Sequence, residues 1–265
     1  MKIQYRNDGI TVFESALYRT TCTVISLAQS VLIVDPNWLP DEIDFIADYV
    51  QQHYSGYAQY LIFTHSDYDH IIGYGKFPNA KVIASEKLTS NPRKQEILKQ
   101  IEDFDNEYYI TRNYPLAYPA GNYSILTDVQ TLTIENTQLI FYLAPGHVTD
   151  GLFIIIPSKN CWIAGDYLSN IEIPFVDDNL KDYILTLTKA QSILDQYKEI
   201  TILITGHGDL ALSRSEIHTR IHNDIAYLQC LVSQNDENIT EIINRYSFHF
   251  IMFDAHEKNK TSRRF

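Results

Sequence analysis

Four short segments of this 265-residue chain carry side chains able to hold a metal ion or move a proton. They are THSDYDH at 64–70, APGHVTDG at 144–151, AGDYLS at 164–169 and TGHGD at 205–209. The first places His65, Asp67, Asp69 and His70 within six residues. Carboxylates set side by side repel one another unless cations lie between them. Neutral imidazole nitrogens and carboxylate oxygens are ordinary ligands of zinc, manganese or iron. A polar surface turn has the same composition, so the hexapeptide alone supports either reading. Joined to His147, Asp166 and His207 in the other three segments, it reads as part of one ligand set.

Such side chains need rigid supports. Each of the four segments follows an apolar run that predicts a strand: 60–63, 138–144, 161–164 and 201–204. Strand ends fix where loop side chains point. Further strands are expected at 10–14, 21–28, 31–35, 81–84, 131–134 and 152–156. The run 31–35 ends at Asp35-Pro36-Asn37, where proline cannot continue a ladder; Asp35 is read as fixing that turn. Helical spacing of Ile43, Ile46, Ala47 and Val50 predicts a helix over 39–54. Others are expected over 91–104, 179–197, 214–233 and 238–246, followed by a short C-terminal segment. The stretch 105–127 reads as irregular and tyrosine-rich. Strands and helices do not alternate strictly enough for a doubly wound sheet. The expected class is α/β (an α+β sandwich), with two mixed β-sheets face to face and helices outside.

Bulk properties narrow the field. With 45% hydrophobic and 12% aromatic residues the chain can fill a core. Its net charge of −12, from 21 basic and 33 acidic side chains, repels polyanions. No nucleic-acid partner is therefore expected; Arg93-Lys94 and the 258–264 cluster are short and read as solvated. Cys22, Cys161 and Cys230 are odd in number and widely spaced, which suits free thiols. The N-terminal residues lack an apolar leader, and no run reaches the roughly 18 apolar residues of a membrane span. The expected location is the cytoplasm, with no membrane partner.

The ligand set resembles the metallo-β-lactamase superfamily, whose pattern is HxHxDH followed by a distant His, a distant Asp and a distant His. The resemblance runs from about residue 20 to about residue 210. It implies an αββα fold and one domain over 1–265, with an insertion near 85–127 and a helical part near 212–265. It implies two divalent ions: His65, Asp67 and His147 on one, Asp69, His70 and His207 on the other, and Asp166 bridging both. A water or hydroxide between them is then the nucleophile, with Asp166 and Asp69 as the catalytic carboxylates and Asp69 steering the proton. Metal coordination lowers the pKa of water to about 7. The departure is Asp67, where the family has His. An oxygen ligand is harder than imidazole, which tilts the first site toward manganese or iron; zinc stays the first choice, with manganese or iron admitted. The same substitution is similar to nuclease-like branches with HxDxDH and to flavodiiron reductases with Glu.

The resulting reading is a binuclear metal-dependent hydrolase acting on a small-molecule ester, thioester or lactone. The alternatives are a phosphodiesterase or nuclease-type hydrolase, and behind it a di-iron oxidoreductase. A small-molecule substrate is the expected partner, with a possible homodimer. Thr149 and Asp150 are read as orienting partners or as turn residues, Tyr68 as a packed aromatic, and Lys76 as solvated. His218 and His222, four apart, read as helix surface. The 85–127 stretch is ranked first as a pocket wall.

Overall fold

The computed structural model describes residues 1–233 and 238–261. Its strands fall into two mixed sheets, of seven and of five strands, as expected. Contacts group the chain into two compact units, Met1–Leu143 and Ala144–Phe265.

The first unit opens with an antiparallel meander: β1 (Lys2–Asn7), β2 (Ile10–Glu14), β3 (Thr21–Ser26) and β4 (Ser30–Val34). From β4 onward the sheet turns parallel, through β5 (Ala58–Ile62), β6 (Lys81–Ser85) and β7 (Tyr123–Ile125). Parallel neighbours need crossovers. α1 (Pro40–His53) joins β4 to β5, and the single turn α2 (Tyr68–Ile71) lies between β5 and β6. α3 (Glu86–Thr89) and α4 (Lys94–Glu107) lie between β6 and β7. Pro40 at the first turn of α1 loses no helical bond there. Buried Glu42 accepts from Leu39 N–H and from Ser15 Oγ, tying the helix start to the β2–β3 turn. Val24, Val31, Ile33, Trp38, Ile43, Leu61 and Phe63 belong to one buried apolar cluster. A hairpin of β8 (Gln130–Ile134) and β9 (Thr137–Leu143) completes the unit.

In the second unit β10 (Leu152–Ile156) pairs antiparallel with β11 (Cys161–Ile163), which pairs parallel with β12 (Ile202–Ile204). α5 (Leu180–Gln196) is the crossover and packs on α6 (Arg214–Ser233). Asn179 caps α5 by accepting from Asp182 N–H at 3.0 Å. α7 (Ile239–Ile243) and α8 (His249–Thr261) follow. Among the described residues no helix is long and apolar enough to cross a membrane. The cysteines are free thiols, Cys22 and Cys161 buried.

Several elements differ from expectation. β1, sequence KIQYRN, lies exposed or half-buried, and Ile3 and Tyr5 are too short an alternation to announce it. β7 sits inside the stretch read as irregular. α8 spans 13 residues where a short segment was expected.

Candidate metal centre

Register explains why the first ligand segment forms where it does. β4 and β5 run parallel with Val34 opposite Ile62, so Asp35 and Phe63–His65 leave the sheet side by side. Asp35 is buried with φ +48°, and its N–H reaches Ile62 O at 3.1 Å. Its carboxylate accepts from Thr64 N–H at 2.9 Å and from Thr64 Oγ1 at 2.5 Å. It also meets His70 Nδ1 at 3.0 Å. A carboxylate only accepts, so His70 carries its proton on Nδ1. The Thr64 hydroxyl spends its proton on Asp35 and can only accept from His65 Nδ1, 2.9 Å away. His65 is therefore the Nδ1–H tautomer as well. In their neutral forms both imidazoles then present Nε2 lone pairs on the opposite side. These point at carboxylates, His65 Nε2 to Asp67 Oδ2 at 3.7 Å and His70 Nε2 to Asp69 Oδ2 at 3.6 Å. Gly73 behind α2 is required by contact: a Cβ there would lie 2.2 Å from Pro36 O.

The second unit repeats the device. Ile163 lies opposite Ile204 in parallel β11 and β12, so Asp166 and His207 also emerge side by side. Ala164 N–H to Ile204 O at 2.9 Å and Gly206 N–H to Gly165 O at 2.7 Å prolong that pairing. Asp166 Oδ2 stands 3.5 Å from His147 Nε2 and 3.3 Å from His207 Nε2. His147 donates Nδ1–H to Phe175 O at 2.9 Å, which in the neutral ring leaves Nε2 as the ligating nitrogen. Its backbone N–H donates to Tyr167 Oη at 3.0 Å, and that hydroxyl donates to Pro145 O at 2.9 Å. Burial pushes the Tyr167 phenol far up, so it stays protonated. Gly146 has φ +125°, and a Cβ there would meet the Tyr183 backbone at 2.3 Å. Glu172 Oε1 lies 4.0 Å from His207 Nδ1.

Behind these loops, Arg220 of α6 donates to Leu168 O, Asp209 O and Leu210 O, clamping the chain after Asp166 and after His207. One turn on, Asp224 accepts from Leu168 N–H at 3.2 Å and from Tyr246 Oη at 2.8 Å. Burial raises its pKa to about 7, against the lowering effect of the Tyr246, Leu168 and Arg220 interactions. The folded state therefore holds a proton that the unfolded chain, with a carboxyl near 4, releases. The stabilisation present below about pH 4 is lost as pH rises through about 7, amounting to roughly 4 kcal/mol at most. Denaturant midpoints of chelator-treated protein should fall between about pH 4 and pH 7 and level off above, and Asp224→Asn should flatten that fall. Parallel curves for the two proteins would refute the assignment.

The donor set fits divalent cations. Facing a carboxylate, an unprotonated Nε2 lone pair is repulsive unless a proton or metal lies between. Two ligands about 2.1 Å from one ion sit roughly 3.0–3.4 Å apart. The observed 3.3–3.7 Å contacts are close to that spacing. Each unit brings its own share of the seven residues together: His65, Asp67, Asp69 and His70 in the first, His147, Asp166 and His207 in the second.

Other residues fall differently. Asp35 does more than fix a turn, because it holds His70 directly and His65 through Thr64. Phe175, Tyr167, Arg220 and Asp224 were not singled out from the sequence. The partner of His147 Nδ1 is the Phe175 carbonyl. Tyr68 is a packed aromatic, edge-on to Trp38 at 5.3 Å, and mainly burial pushes its phenol up to about 12. Lys76 pairs with Asp44, and Arg93 is exposed and paired with Glu96. His218 and His222 are exposed on α6 with ring centroids 4.8 Å apart. Residues 262–264 of the basic C-terminal cluster lie outside the described residues, while Lys258 pairs with Asp177. In the 85–127 stretch Tyr114, Leu116 and Tyr118 pack on the first unit's core. Arg112 forks onto Asp105 there and donates to Trp38 O.

Comparison with known proteins agrees with this architecture. The sequence model described as "Metallo-beta-lactamase superfamily" matches residues 18–207, a span that includes all seven ligand candidates. No curated protein matches the sequence. Among solved structures, a metallo-β-lactamase from Pontibacter korlensis is similar at 16% identity and TM-score 0.61, covering 86% of this chain and 98% of its own. A metallo-β-lactamase family protein from Thermus thermophilus gives 16% and 0.62, covering 94% and 91%. The inverting sec-alkylsulfatase Pisa1 from Pseudomonas sp. gives 16% and 0.66; the match covers 90% of this chain and 44% of the sulfatase. By the family match over most of its length, and with the same fold in these structures, the chain belongs to the metallo-β-lactamase superfamily.

Proposed function

We propose that this chain is a binuclear metal-dependent hydrolase of a small-molecule ester, thioester or lactone. The supporting observation is the orientation of the imidazoles: His65, His70 and His147 have Nδ1 tied to an acceptor and Nε2 turned to a carboxylate. In this reading His65, Asp67 and His147 hold one ion, Asp69, His70 and His207 the other, and Asp166 is shared. Zinc is the first choice, with manganese or iron admitted by the Asp67 oxygen. When bound, such ions activate a water and polarise the scissile carbonyl. Asp69 receives or relays the proton released when that water attacks. Asp35 and Thr64 hold His65 and His70 in their ligating tautomers, and the Phe175 carbonyl does the same for His147. Two divalent ions against three carboxylates leave a centre of roughly +1 charge, which suits neutral or monoanionic substrates.

Asp67 favours a second reading, phosphodiester hydrolysis, because it gives the first site an oxygen where the family has nitrogen. Two measurements separate the readings. Protein purified without added metal should contain two equivalents of zinc, with manganese or iron as replacements. It should turn over a p-nitrophenyl ester, a thioester or a homoserine lactone faster than bis-p-nitrophenyl phosphate. Faster turnover of the phosphodiester would hand the assignment to the second reading. Iron with oxygen consumption and no hydrolysis would remove both.

A further inference from the structure

His147 takes its orientation from a loop that has no ladder of its own. Residues 171–179, between β11 and α5, form neither strand nor helix, and Ile173 and Val176 within them are buried. Buried backbone donors and acceptors need partners. One face of α8 supplies them. Met252, His256 and Asn259 are spaced four and three apart, which puts them on one side of the helix, and all three are buried. Ile173 N–H reaches Met252 Sδ at 3.3 Å. Asn259 Oδ1 accepts from Val176 N–H at 2.9 Å, and its Nδ2 donates to Pro174 O at 2.7 Å and to Tyr227 Oη at 2.8 Å. Tyr227, on α6, also meets His256 Nδ1 at 3.2 Å. Both hydrogens of the Asn259 amide are therefore used, and the group is held in one orientation.

The Val176 N–H and the Phe175 carbonyl belong to one peptide group, which is planar and carries its N–H and C=O on opposite sides. Asn259 grips that group by its N–H at 2.9 Å, and His147 Nδ1–H meets its oxygen at 2.9 Å. The Pro174 carbonyl belongs to the preceding peptide, so one side-chain amide fixes both peptide planes around the Phe175 Cα. Hydrogen bonds in such a chain polarise one another, and the bond at Val176 N–H makes the Phe175 oxygen a better acceptor for His147. We propose that Asn259, from α8, is a positioning residue for the metal centre, acting on His147 through the peptide between Phe175 and Val176. This rests on the reading of His147 as a metal ligand.

The test measures the zinc affinity of the full chain by chelator competition, together with the imidazole N–H signals of the isotope-labelled, zinc-loaded protein. Asn259→Leu keeps most of the volume and loses the bonds to Pro174, Val176 and Tyr227. Its zinc affinity should fall about tenfold, the lower end of the range for outer partners of metal-bound histidines, because Asn259 acts one contact further out. The His147 Nδ1–H should exchange with water faster, while those of His65 and His70 keep their wild-type rates. Asn259→Asp retains the acceptor for Val176 N–H and loses both donors, so it should move the two readouts in the same direction. That variant decides the question if the leucine variant does not fold. Ile243→Ala controls for stability: it opens a cavity under buried Ile243 of α7 and alters none of these hydrogen-bonding groups. It should melt earlier with both readouts unchanged. Wild-type zinc affinity and wild-type His147 exchange in the Asn259 variants, or equal losses in Ile243→Ala, would overturn the proposal and leave the metal reading standing. Zinc affinity unaffected by His147→Ala would remove His147 as a ligand, and the proposal with it.

Discussion

Asp166→Ala should lower turnover by about 10³-fold or more and leave the protein unable to retain its full complement of metal. The expectation follows from one oxygen atom. Asp166 Oδ2 faces two imidazole nitrogens, His147 Nε2 at 3.5 Å and His207 Nε2 at 3.3 Å. Removing it takes one negative charge and the shared contact from both histidines at once. The histidines themselves should stay in place, because His147 is held through Nδ1 by Phe175 O and through its backbone by Tyr167. The His207 carbonyl is held by Ser169 Oγ and Thr205 Oγ1. The variant should therefore fold normally and fail chemically. Metal content by mass spectrometry, read beside turnover and a thermal melt, distinguishes the cases. Wild-type turnover together with wild-type metal content would mean that Asp166 is not the shared ligand.

The parts of this centre that could be read from the sequence are those that announce themselves by side-chain type. His65, Asp67, Asp69 and His70 crowd one loop, and His147, Asp166 and His207 each follow an apolar strand beside glycine. The parts that could not be read are those supplied by backbone or by distance. Phe175 orients His147 with a carbonyl that every residue possesses. Asp35 stands 29 residues before Thr64, and only the parallel register of Val34 with Ile62 makes them neighbours. Arg220 and Asp224 lie on a helix whose sequence says nothing about the loops they grip. The same division holds for the fold. Strands such as β10, buried at every position, were legible as apolar runs. β1 is short and polar but for Ile3 and Tyr5, and α8 lacks a helical apolar period.

The substitution Asp35→Asn tests whether orientation, as distinct from ligation, is what the first unit supplies. Asp35 accepts three hydrogen bonds: Oδ1 takes Thr64 N–H, while Oδ2 takes the Thr64 hydroxyl and His70 Nδ1–H. An amide of the same shape cannot reproduce this. If its oxygen takes the Oδ2 position, its NH₂ group faces the buried Thr64 N–H and both donors go unmatched. If its nitrogen takes that position, His70 must accept through Nδ1 and carry its proton on Nε2, the atom needed for the metal. Either arrangement also removes the charge that strengthens these bonds. Zinc affinity, measured by chelator competition, should fall about 10- to 100-fold, the range found for outer partners of metal-bound histidines. The metal-free protein should lose about 3 kcal/mol in a denaturant melt, since buried hydrogen bonds to a charged group contribute roughly 1.5–3 kcal/mol each. The two readouts separate positioning from support. Thr64→Val removes only the acceptor for His65 Nδ1 and the hydroxyl donated to Asp35, so its affinity loss should be smaller. A loss of stability in Asp35→Asn with zinc affinity still close to that of the wild type would show that the Asp35 carboxylate supports the loop without setting the His70 tautomer.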